Sequence, residues 1–357
     1  MMIRLGDICD VRDGTHDSPS YVAEGYPLVT SKNIVDGKLD MSDISYISLE
    51  DYNKINERSK VSTGDIIMPM IGTIGNPYII GEFTDFAIKN VALIKFPNDI
   101  VYNKYIFHFL NSEKFKKYIA ENNRGGTQKF LSLKDIRNIQ LNLPSLAEQM
   151  DVVEKLDKVC DLISMRNKQL EKLDELVKSR FIEMFGEIDA PSKWDKKPWV
   201  ELVTIQNGRD YKHIVVESGG YAVYGTGGEM ARASDYLCPE NTIIVGRKGT
   251  INNPLLVKEK IWNVDTAFGV IVGEQLHYQY FYGFCRMFDF TTLNKQAVLP
   301  STTKADLLKI QMAVPPMELQ QQFASFVEQT DKSKLSIQQS LDKLETLKKA
   351  LMQQYFG

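Results

Sequence analysis

The chain is written twice. Gly72-Thr73-Ile74-Gly75-Asn76-Pro77 recurs as Gly249-Thr250-Ile251-Asn252-Asn253-Pro254, and each copy follows a β-rich run, Asp65-Ile66-Ile67-Met68 first and Thr242-Ile243-Ile244-Val245 second. Both read as a strand running into a turn. Leu133-Lys134-Asp135-Ile136-Arg137-Asn138-Ile139 then pairs with Lys304-Ala305-Asp306-Leu307-Leu308-Lys309-Ile310, and Leu143-Pro144 with Val314-Pro315. The strongest match comes last. Leu170-Glu171-Lys172-Leu173-Asp174-Glu175-Leu176 aligns without gaps to Leu341-Asp342-Lys343-Leu344-Glu345-Thr346-Leu347, and the copies end alike at Phe185-Gly186 and Phe356-Gly357. A period of about 170 residues is far longer than the roughly 50 of a solenoid repeat, so the repeated object is a whole module. From the early matches to the late ones the offset shortens by about six residues, which predicts one surface loop, longer in the first copy, between Val91–Phe96 and Asn123.

Each copy ends in a long helical stretch. From Ala147 to Phe185 there is neither proline nor glycine, and Pro144 and Pro315 stand just upstream as start signals. The spacing predicts a helix of about 40 residues, roughly 60 Å. Val152, Leu156, Val159, Ile163, Leu170, Leu173, Val177 and Met184 fall in steps of three and four, the seam of a coiled coil, interrupted at Arg166 and Arg180. The aligned seam of the second helix runs Phe323, Val327, Thr330, Lys334, Ile337, Leu341, Leu344, Lys348, Leu351 and Tyr355. Isolated helices of this kind are marginal in water, so the two stripes are expected to pair with one another. Antiparallel pairing is favoured, because a module leads into each helix and the two would then be related by an approximate two-fold axis. Packing of each helix on its own module is the alternative.

The globular parts mix short β-rich runs with helical segments, which gives an α+β (mixed α/β) class with a central sheet. Tyr102 to Glu121 carries Tyr105, Phe109, Phe115 and Ile119 at helical spacing, and Tyr278 to Phe290 is its shorter partner. Both read as helices packed on the core. Polar, glycine-bearing segments are where backbone approaches a phosphate and long side chains reach a base edge. In the first copy the segments Gly14-Thr15-His16, Ser31-Lys32-Asn33, Lys89-Asn90 and Arg124-Gly125-Gly126-Thr127-Gln128-Lys129 supply Thr15, Ser31, Lys32, Asn33, Lys89, Arg124, Thr127 and Lys129 as candidate nucleic-acid contacts. In the second copy they supply Arg209, Tyr211, Lys212, Thr226, Arg247, Lys248 and Lys295.

Several chemistries are not encoded. Asn76-Pro77-Tyr78 lacks the second proline of an amino-methyltransferase loop, and its counterpart Asn253-Pro254-Leu255 has no aromatic residue to stack on a flipped base, so both read as turns. No Gly-x-x-x-x-Gly-Lys-Ser/Thr phosphate loop is present, and the glycines around Thr226 do not form a dinucleotide fingerprint. His16, His108, His213 and His277 are scattered without metal or nucleophile spacing and read as surface or packing residues. Cys9, Cys160, Cys238 and Cys285 lie far apart and read as reduced, structural thiols. No apolar run is long enough to span a bilayer and the N-terminus lacks a signal-peptide core, which points to the cytoplasm. A net charge of −3 argues against a polyanionic partner, although a local basic groove depends on where charges sit and not on their sum.

Three junctions carry a family resemblance. Leu5-Gly6-Asp7-Ile8 followed by Gly14 opens the first copy, and Trp199-Val200-Glu201-Leu202-Val203 followed by Gly208 opens the second. Leu141-Asn142-Leu143-Pro144-Ser145-Leu146-Ala147-Glu148-Gln149 ends in Pro-x-x-x-Glu-Gln, whereas Pro315-Pro316-Met317-Glu318-Leu319-Gln320 departs from it with Leu319 in place of the acid. With the two long helices, this layout resembles the specificity (S, HsdS) subunits of type I restriction-modification systems over essentially the whole chain.

The resemblance implies a target-recognition domain over 1–145, a spacer helix over 146–186, a second target-recognition domain over 187–315 and a second spacer helix over 316–357. It implies a non-catalytic subunit that reads an asymmetric bipartite site on double-stranded DNA, with the helices acting as a ruler. Two methyltransferase (M) subunits and restriction (R) subunits are the implied protein partners. S-adenosylmethionine, ATP and magnesium would belong to those partners, with no cofactor held by this chain. Arg180, Phe181, Phe185, Met352, Tyr355 and Phe356 are the expected methyltransferase docking residues. A coiled-coil adaptor that binds only protein, and a methyltransferase with an unrecognised motif, are the alternative functions.

Overall fold

A computed structural model describes residues 2–35, 37–72, 74–122, 130–294 and 300–357. The chain divides into two units, Met1–Arg166 with Ser340–Gly357, and Asn167–Gln339. Each unit therefore holds one globular module, part of the first long helix, Leu146–Phe185, and part of the second, Met317–Phe356.

In the first unit the central sheet is antiparallel, in the order Asp10–Asp13, Val91–Lys95, Ile66–Pro69, Tyr78–Ile79. Its middle strands are buried on both faces, and alternation assigns each face to a different core. Ile66, Met68, Ala92 and Ile94 pack with the helices, while Ile67, Val91 and Leu93 pack with Val29, Ile34 and Phe86. A second sheet runs Ala87–Ile88, Tyr26–Val29, Ser45–Ile47, Tyr21–Val22, its first pair parallel. The two ends of the module close on each other where Met2–Arg4 pairs antiparallel with Gln140–Asn142.

The second unit repeats this plan. Val203–Asn207, Ala267–Val272, Thr242–Gly246 and Leu255–Val257 form the central sheet, Ile261–Asn263 pairs parallel with Tyr221–Gly225, and Lys196–Pro198 closes on Gln311–Ala313. The repeat reaches single hydrogen bonds. Leu5 N donates to Ile139 O at 2.8 Å and Trp199 N to Ile310 O at 2.9 Å, each from the first residue of a one-turn helix. Tyr105 Oη donates to Asn142 O at 3.0 Å, and Tyr280 Oη to Ala313 O at 2.9 Å.

Two expectations are corrected. The helix expected over Tyr102–Glu121 is two helices, Asn103–Leu110 and Glu113–Asn122, because the chain turns at Asn111 and the buried Ser112, whose Oγ accepts from Phe115 N. Most of the surplus of the first copy falls in the same stretch, which is the helix Glu113–Asn122 in the first unit and, among the described residues, the short 3-10 turn Phe290–Leu293 after Tyr278–Met287 in the second, so the expected long surface loop is in large part a helix.

Within each unit the two long helices run antiparallel and share the module's core. In the second unit Phe181 meets Phe323 at 5.5 Å between ring centroids, and Asp174 accepts from Lys334 Nζ at 2.8 Å further along. In the first unit Val152 and Leu156 share a cluster with Met352 and Phe356. Along the seam Ile163, Leu170, Leu173 and Ile337 are half-buried, whereas Val152, Leu156, Val159, Phe323, Val327 and Leu341 are buried.

The helix ends decide the fate of the expected docking residues. Phe181 stacks on Tyr280 at 5.6 Å between centroids, Phe185 meets the same ring edge-on at 4.6 Å, and Phe356 lies 5.1 Å from Tyr105 and 5.9 Å from Phe109. Phe181, Phe185, Met352 and Phe356 are buried in the cores of their units, so the expectation that they form a docking surface is corrected. Aromatic contacts of this kind contribute about 0.5–1.5 kcal/mol each beyond their area, and they fasten helix to module. Tyr355 and Arg180 are half-buried, with Arg180 paired to Glu183 and set over the Phe326 ring. The large apolar side chains that the helices do expose include Leu162, Met165, Leu176, Leu335 and Leu347.

Among the described residues no helix is long and apolar enough to cross a membrane, and no group of three or more His, Cys, Asp or Glu side chains is arranged to hold a metal. All four cysteines are free thiols, and burial pushes those of Cys9 and Cys238 up to about 12.

Candidate functional site

The central strands of the first unit deliver several of the nominated segments to one edge. Asp10–Asp13 ends at Gly14, where an added Cβ would lie 2.1 Å from Ile88 O, so only glycine lets the backbone pass. Thr15 N donates to Ile88 O at 3.0 Å and Asn90 N donates back to Thr15 O at 3.2 Å. Lys89 N donates to Val29 O, which brings the turn Ser31–Asn33 to the same strand ends. Thr15, Lys32 and Lys89 thus share one edge.

The side chains there differ in what they have left to offer. Asn33 is buried and consumed: its Oδ1 accepts from Thr30 N, and its Nδ2 donates to Asp40 O and Asp43 O. It shapes the turn, so its nomination as a contact residue is corrected. Ser31 is half-buried, Lys32 is exposed, and Lys89 Nζ donates to Ser18 Oγ at 3.1 Å. Arg124, Thr127 and Lys129 lie outside the described residues.

At this edge His16 and Asn90, both from nominated segments, meet Asp13 and Arg58, which the sequence did not single out. The buried Asp13 carboxylate accepts from Arg58 and, through Oδ2, contacts His16 Nε2 at 2.8 Å. His16 Nδ1 reaches Asn90 Oδ1 at 2.9 Å. The bond to Asn90, then that to Asp13, raise the His16 pKa above the ordinary histidine value, against opposition from burial and from Arg58. Asn90 itself sits in the left-handed region, φ 56°, which asparagine tolerates better than other non-glycine residues.

The second unit builds the equivalent edge with different chemistry. Val203–Asn207 ends at Gly208, whose added Cβ would lie 1.8 Å from Val264 O, and Arg209 N donates to Asn263 O at 3.0 Å. Trp262 Nε1 donates to Arg209 O and ties this loop down. Arg209 and Lys212 are exposed. Tyr211 is half-buried against the cluster of Val223, Ala233, Trp262 and Val264, so most of its ring serves packing. Thr226 lies in the tight turn between Tyr221–Gly225 and Gly228–Ala233, half-buried. Lys295 lies outside the described residues.

Arg247 and Lys248 follow the strand Thr242–Gly246. Arg247 N donates to Thr266 O, its Nη1 to Asp265 O at 3.1 Å, and its guanidinium sits 5.9 Å from the Phe268 ring centroid. Lys248 is exposed and bridges Ser301. With Asn207, Ser301 and Thr303 these residues line a shallow cleft of about 330 Å³. The first unit has the same backbone, Ile71 bridging Phe130 and Leu131 N donating to Met70 O, where the second has Thr302 N donating to Arg247 O. Met70 and Ile71 therefore stand where the second unit has Arg247 and Lys248. One scaffold carries two different surfaces.

The junction from module to long helix explains the departure at Leu319. In the first unit Ser145 N and Oγ bond Glu148 Oε2 at 2.9 and 2.6 Å, a capping box. In the second, Pro316 replaces the serine and has no N–H to satisfy, so no acid is needed. Leu319 packs against the core instead.

Comparison with known proteins agrees with this duplicated plan. The model of the type I restriction modification DNA specificity domain matches residues 1–175 and again 191–347. The chain is 28% identical over 175 residues to the type I restriction enzyme EcoBI specificity subunit of Escherichia coli, across 47% of this chain and only 37% of that protein. It is 24% identical over 388 residues to the putative MjaX specificity subunit of Methanocaldococcus jannaschii, across 98% of this chain and 90% of that one. In fold it is similar to the crystal structure of a type I restriction-modification S subunit from M. genitalium, with a TM-score of 0.64 at 13% identity, covering 100% of this chain and 96% of the other. The chain belongs to the type I restriction-modification DNA specificity family.

Proposed function

We propose that this protein is the recognition subunit of a type I restriction-modification assembly, and that each unit reads one half of a bipartite duplex site with its strand-end edge. The observation that carries this reading is the pair of equivalent glycine passes, Gly14 and Gly208, each opening a loop onto an edge whose side chains differ between units. A common backbone with divergent surfaces suits two half-sites of different sequence. Phosphate contacts would set register, and side chains at the edge would read bases. The net charge of −3 is compatible with this because Arg209, Arg247 and Lys248 follow strand ends that lie on one edge of the central sheet.

In this reading the chain does no chemistry. Two methyltransferase subunits carry S-adenosylmethionine, restriction subunits carry ATP and magnesium, and this chain binds neither cofactor. The exposed Leu162, Met165, Leu176, Leu335 and Leu347 supply apolar area on the long helices for methyltransferase docking. The test is single-molecule methylome sequencing of a host carrying this chain with its methyltransferase subunit, against a strain lacking this chain alone. Loss of a bipartite methyladenine motif is the expected result. Unchanged methylation despite expression would favour a protein-binding adaptor.

A further inference from the structure

The edge of the first unit contains a side chain that is held rigidly yet not used up. Thr15 Oγ1 accepts from Asp17 N, Lys89 Nζ is bound to Ser18, Asn33 is consumed by backbone, and Asp13 is shared by His16 and Arg58. Asn90 differs. Its Oδ1 takes one bond from His16 Nδ1, while among the described residues its Nδ2 has no partner and is not a buried atom. One lone pair on Oδ1 and both amide hydrogens remain available.

We propose that Asn90 is a base-reading residue of the first unit, presenting its amide to the N7 and N6 edge of an adenine in the major groove, with His16 as the residue that positions it. The inference rests on the DNA-reading role proposed above. A planar amide offers one donor and one acceptor side by side, the pattern that adenine alone among the bases complements in that groove. A base reader must be fixed before the base arrives, and three constraints fix this one. The left-handed backbone, φ 56°, aims the side chain, Asn90 N donates to Thr15 O, and His16 grips Oδ1. His16 is itself oriented: its two ring nitrogens face the Asp13 carboxylate and the Asn90 oxygen, so the ring donates at both as an imidazolium. Asp13 and Arg58 are the ionisable groups against it, and the raised His16 pKa agrees with that doubly donating state. His16 occupies one lone pair of Oδ1, which leaves the other to accept from N6 and the Nδ2 to donate to N7.

Among the described residues the second unit has no such pair at the equivalent positions. Thr266 precedes the strand Ala267–Val272 where Asn90 precedes Val91–Lys95, and Arg209 follows Gly208 where Thr15 follows Gly14. The adenine contact is therefore a property of one half-site.

The test uses the complex of this chain with its methyltransferase subunits, on a duplex carrying the motif found by methylome sequencing and on a scrambled duplex. Asn90→Gly removes the amide while keeping a backbone that tolerates positive φ, and Asn90→Asp keeps the shape while removing the N7 donor. Each should weaken site binding roughly 5- to 150-fold and relax the methylated motif at one adenine of one half-site. Binding to the scrambled duplex should stay within about twofold, because phosphate contacts are untouched. Replacing that adenine by its 7-deaza analogue should cost wild type a similar factor and cost Asn90→Gly nothing further. His16→Ala should weaken site binding with a pH profile flatter than wild type, and His16→Gln should restore part of the loss. An unchanged motif and affinity in Asn90→Gly, or an equal loss on site and scrambled duplexes, overturns the assignment of Asn90. A wild-type complex with no sequence preference overturns the DNA-reading role itself.

Discussion

Gln149 and Gln320 make the same three hydrogen bonds in two modules whose sequences have diverged. Gln149 Oε1 accepts from Tyr102 N, and its Nε2 donates to Ile100 O and Pro144 O; Gln320 Oε1 accepts from His277 N, and its Nε2 donates to Gln275 O and Pro315 O. Both side chains are 0% exposed. Each glutamine fastens the first turn of a long helix to the N-terminus of the helix that packs on the central sheet. It is the feature of the junction that survives when the neighbouring acid is lost at Leu319.

Replacing either glutamine by leucine leaves a buried N–H and two carbonyls without partners. Gln149→Leu should cost about 2–4 kcal/mol in its unit. Hydrogen exchange should show faster opening of Asn103–Leu110 in Gln149→Leu, and of Tyr278–Met287 in Gln320→Leu, with the other unit unchanged.

The last residues of the chain complete the core of the first unit. Phe356 packs on Tyr105 and Phe109, so Phe356→Ala should destabilise the unit containing Met2–Arg4 by about 3–5 kcal/mol, although it lies at the opposite end of the sequence. Denaturant unfolding read by exchange in Val91–Lys95 measures this. Exchange in Ala267–Val272 should not move.

Gly283 lies inside the helix Tyr278–Met287, where a Cβ would meet Phe181 Cδ2 at 2.8 Å and Phe323 Cε1 at 3.2 Å. These rings are packed against each other and cannot simply rotate away. Gly283→Ala should therefore cost about 1–3 kcal/mol despite alanine's better helix propensity, and Gly283→Val more. A variant as stable as wild type in thermal melts would show that the long helices can shift to make room.

His108 is buried, with Nε2 2.7 Å from Asp157 Oδ1, and Lys104 Nζ bonds the other carboxylate oxygen at 2.7 Å. Burial lowers the His108 pKa, and the bond to Asp157 only partly offsets it. A depressed folded-state value means that the unfolded chain binds the extra proton first. The first unit should hold full stability above the ordinary histidine pKa and lose it as pH falls below that value towards the folded one. Urea midpoints at pH 7.5 and 5.5 should differ in this direction for wild type, and by less for His108→Gln.

Arg247 and Lys248 stand where the first unit has Met70 and Ile71, and the proposed DNA-reading role makes them phosphate contacts. If each neutralises one phosphate, the slope of log affinity against log salt should flatten by roughly 1 per residue removed. Titrations of the assembled complex with Arg247→Gln and Lys248→Gln, singly and together, measure this. Unchanged slopes would remove both residues from the DNA contact.

The repeat itself was legible because it is local. Strand-then-turn motifs, glycine passes and the long proline-free helices are set by neighbouring residues. Gly72 and Gly249 do take positive φ after their strands, and both helices run close to the residues that spacing suggested. The break at Asn111–Ser112 was not legible, since aromatic spacing continues across it and only packing against the core ends the first helix.

Function divided along the same line. Family membership followed from sequence, because the module openings and the strand-to-helix junctions carry a local signature. What each nominated side chain does was decided by tertiary structure. Asn33 was nominated and is spent on backbone, Phe181, Phe185 and Phe356 were nominated for docking and are buried, and Asn90 gained its interest from His16, distant in sequence. A sequence pattern fixes which groups a segment carries. Which of those groups remain unsatisfied, and so available to a ligand, depends on long-range partners that only folding brings within hydrogen-bond distance.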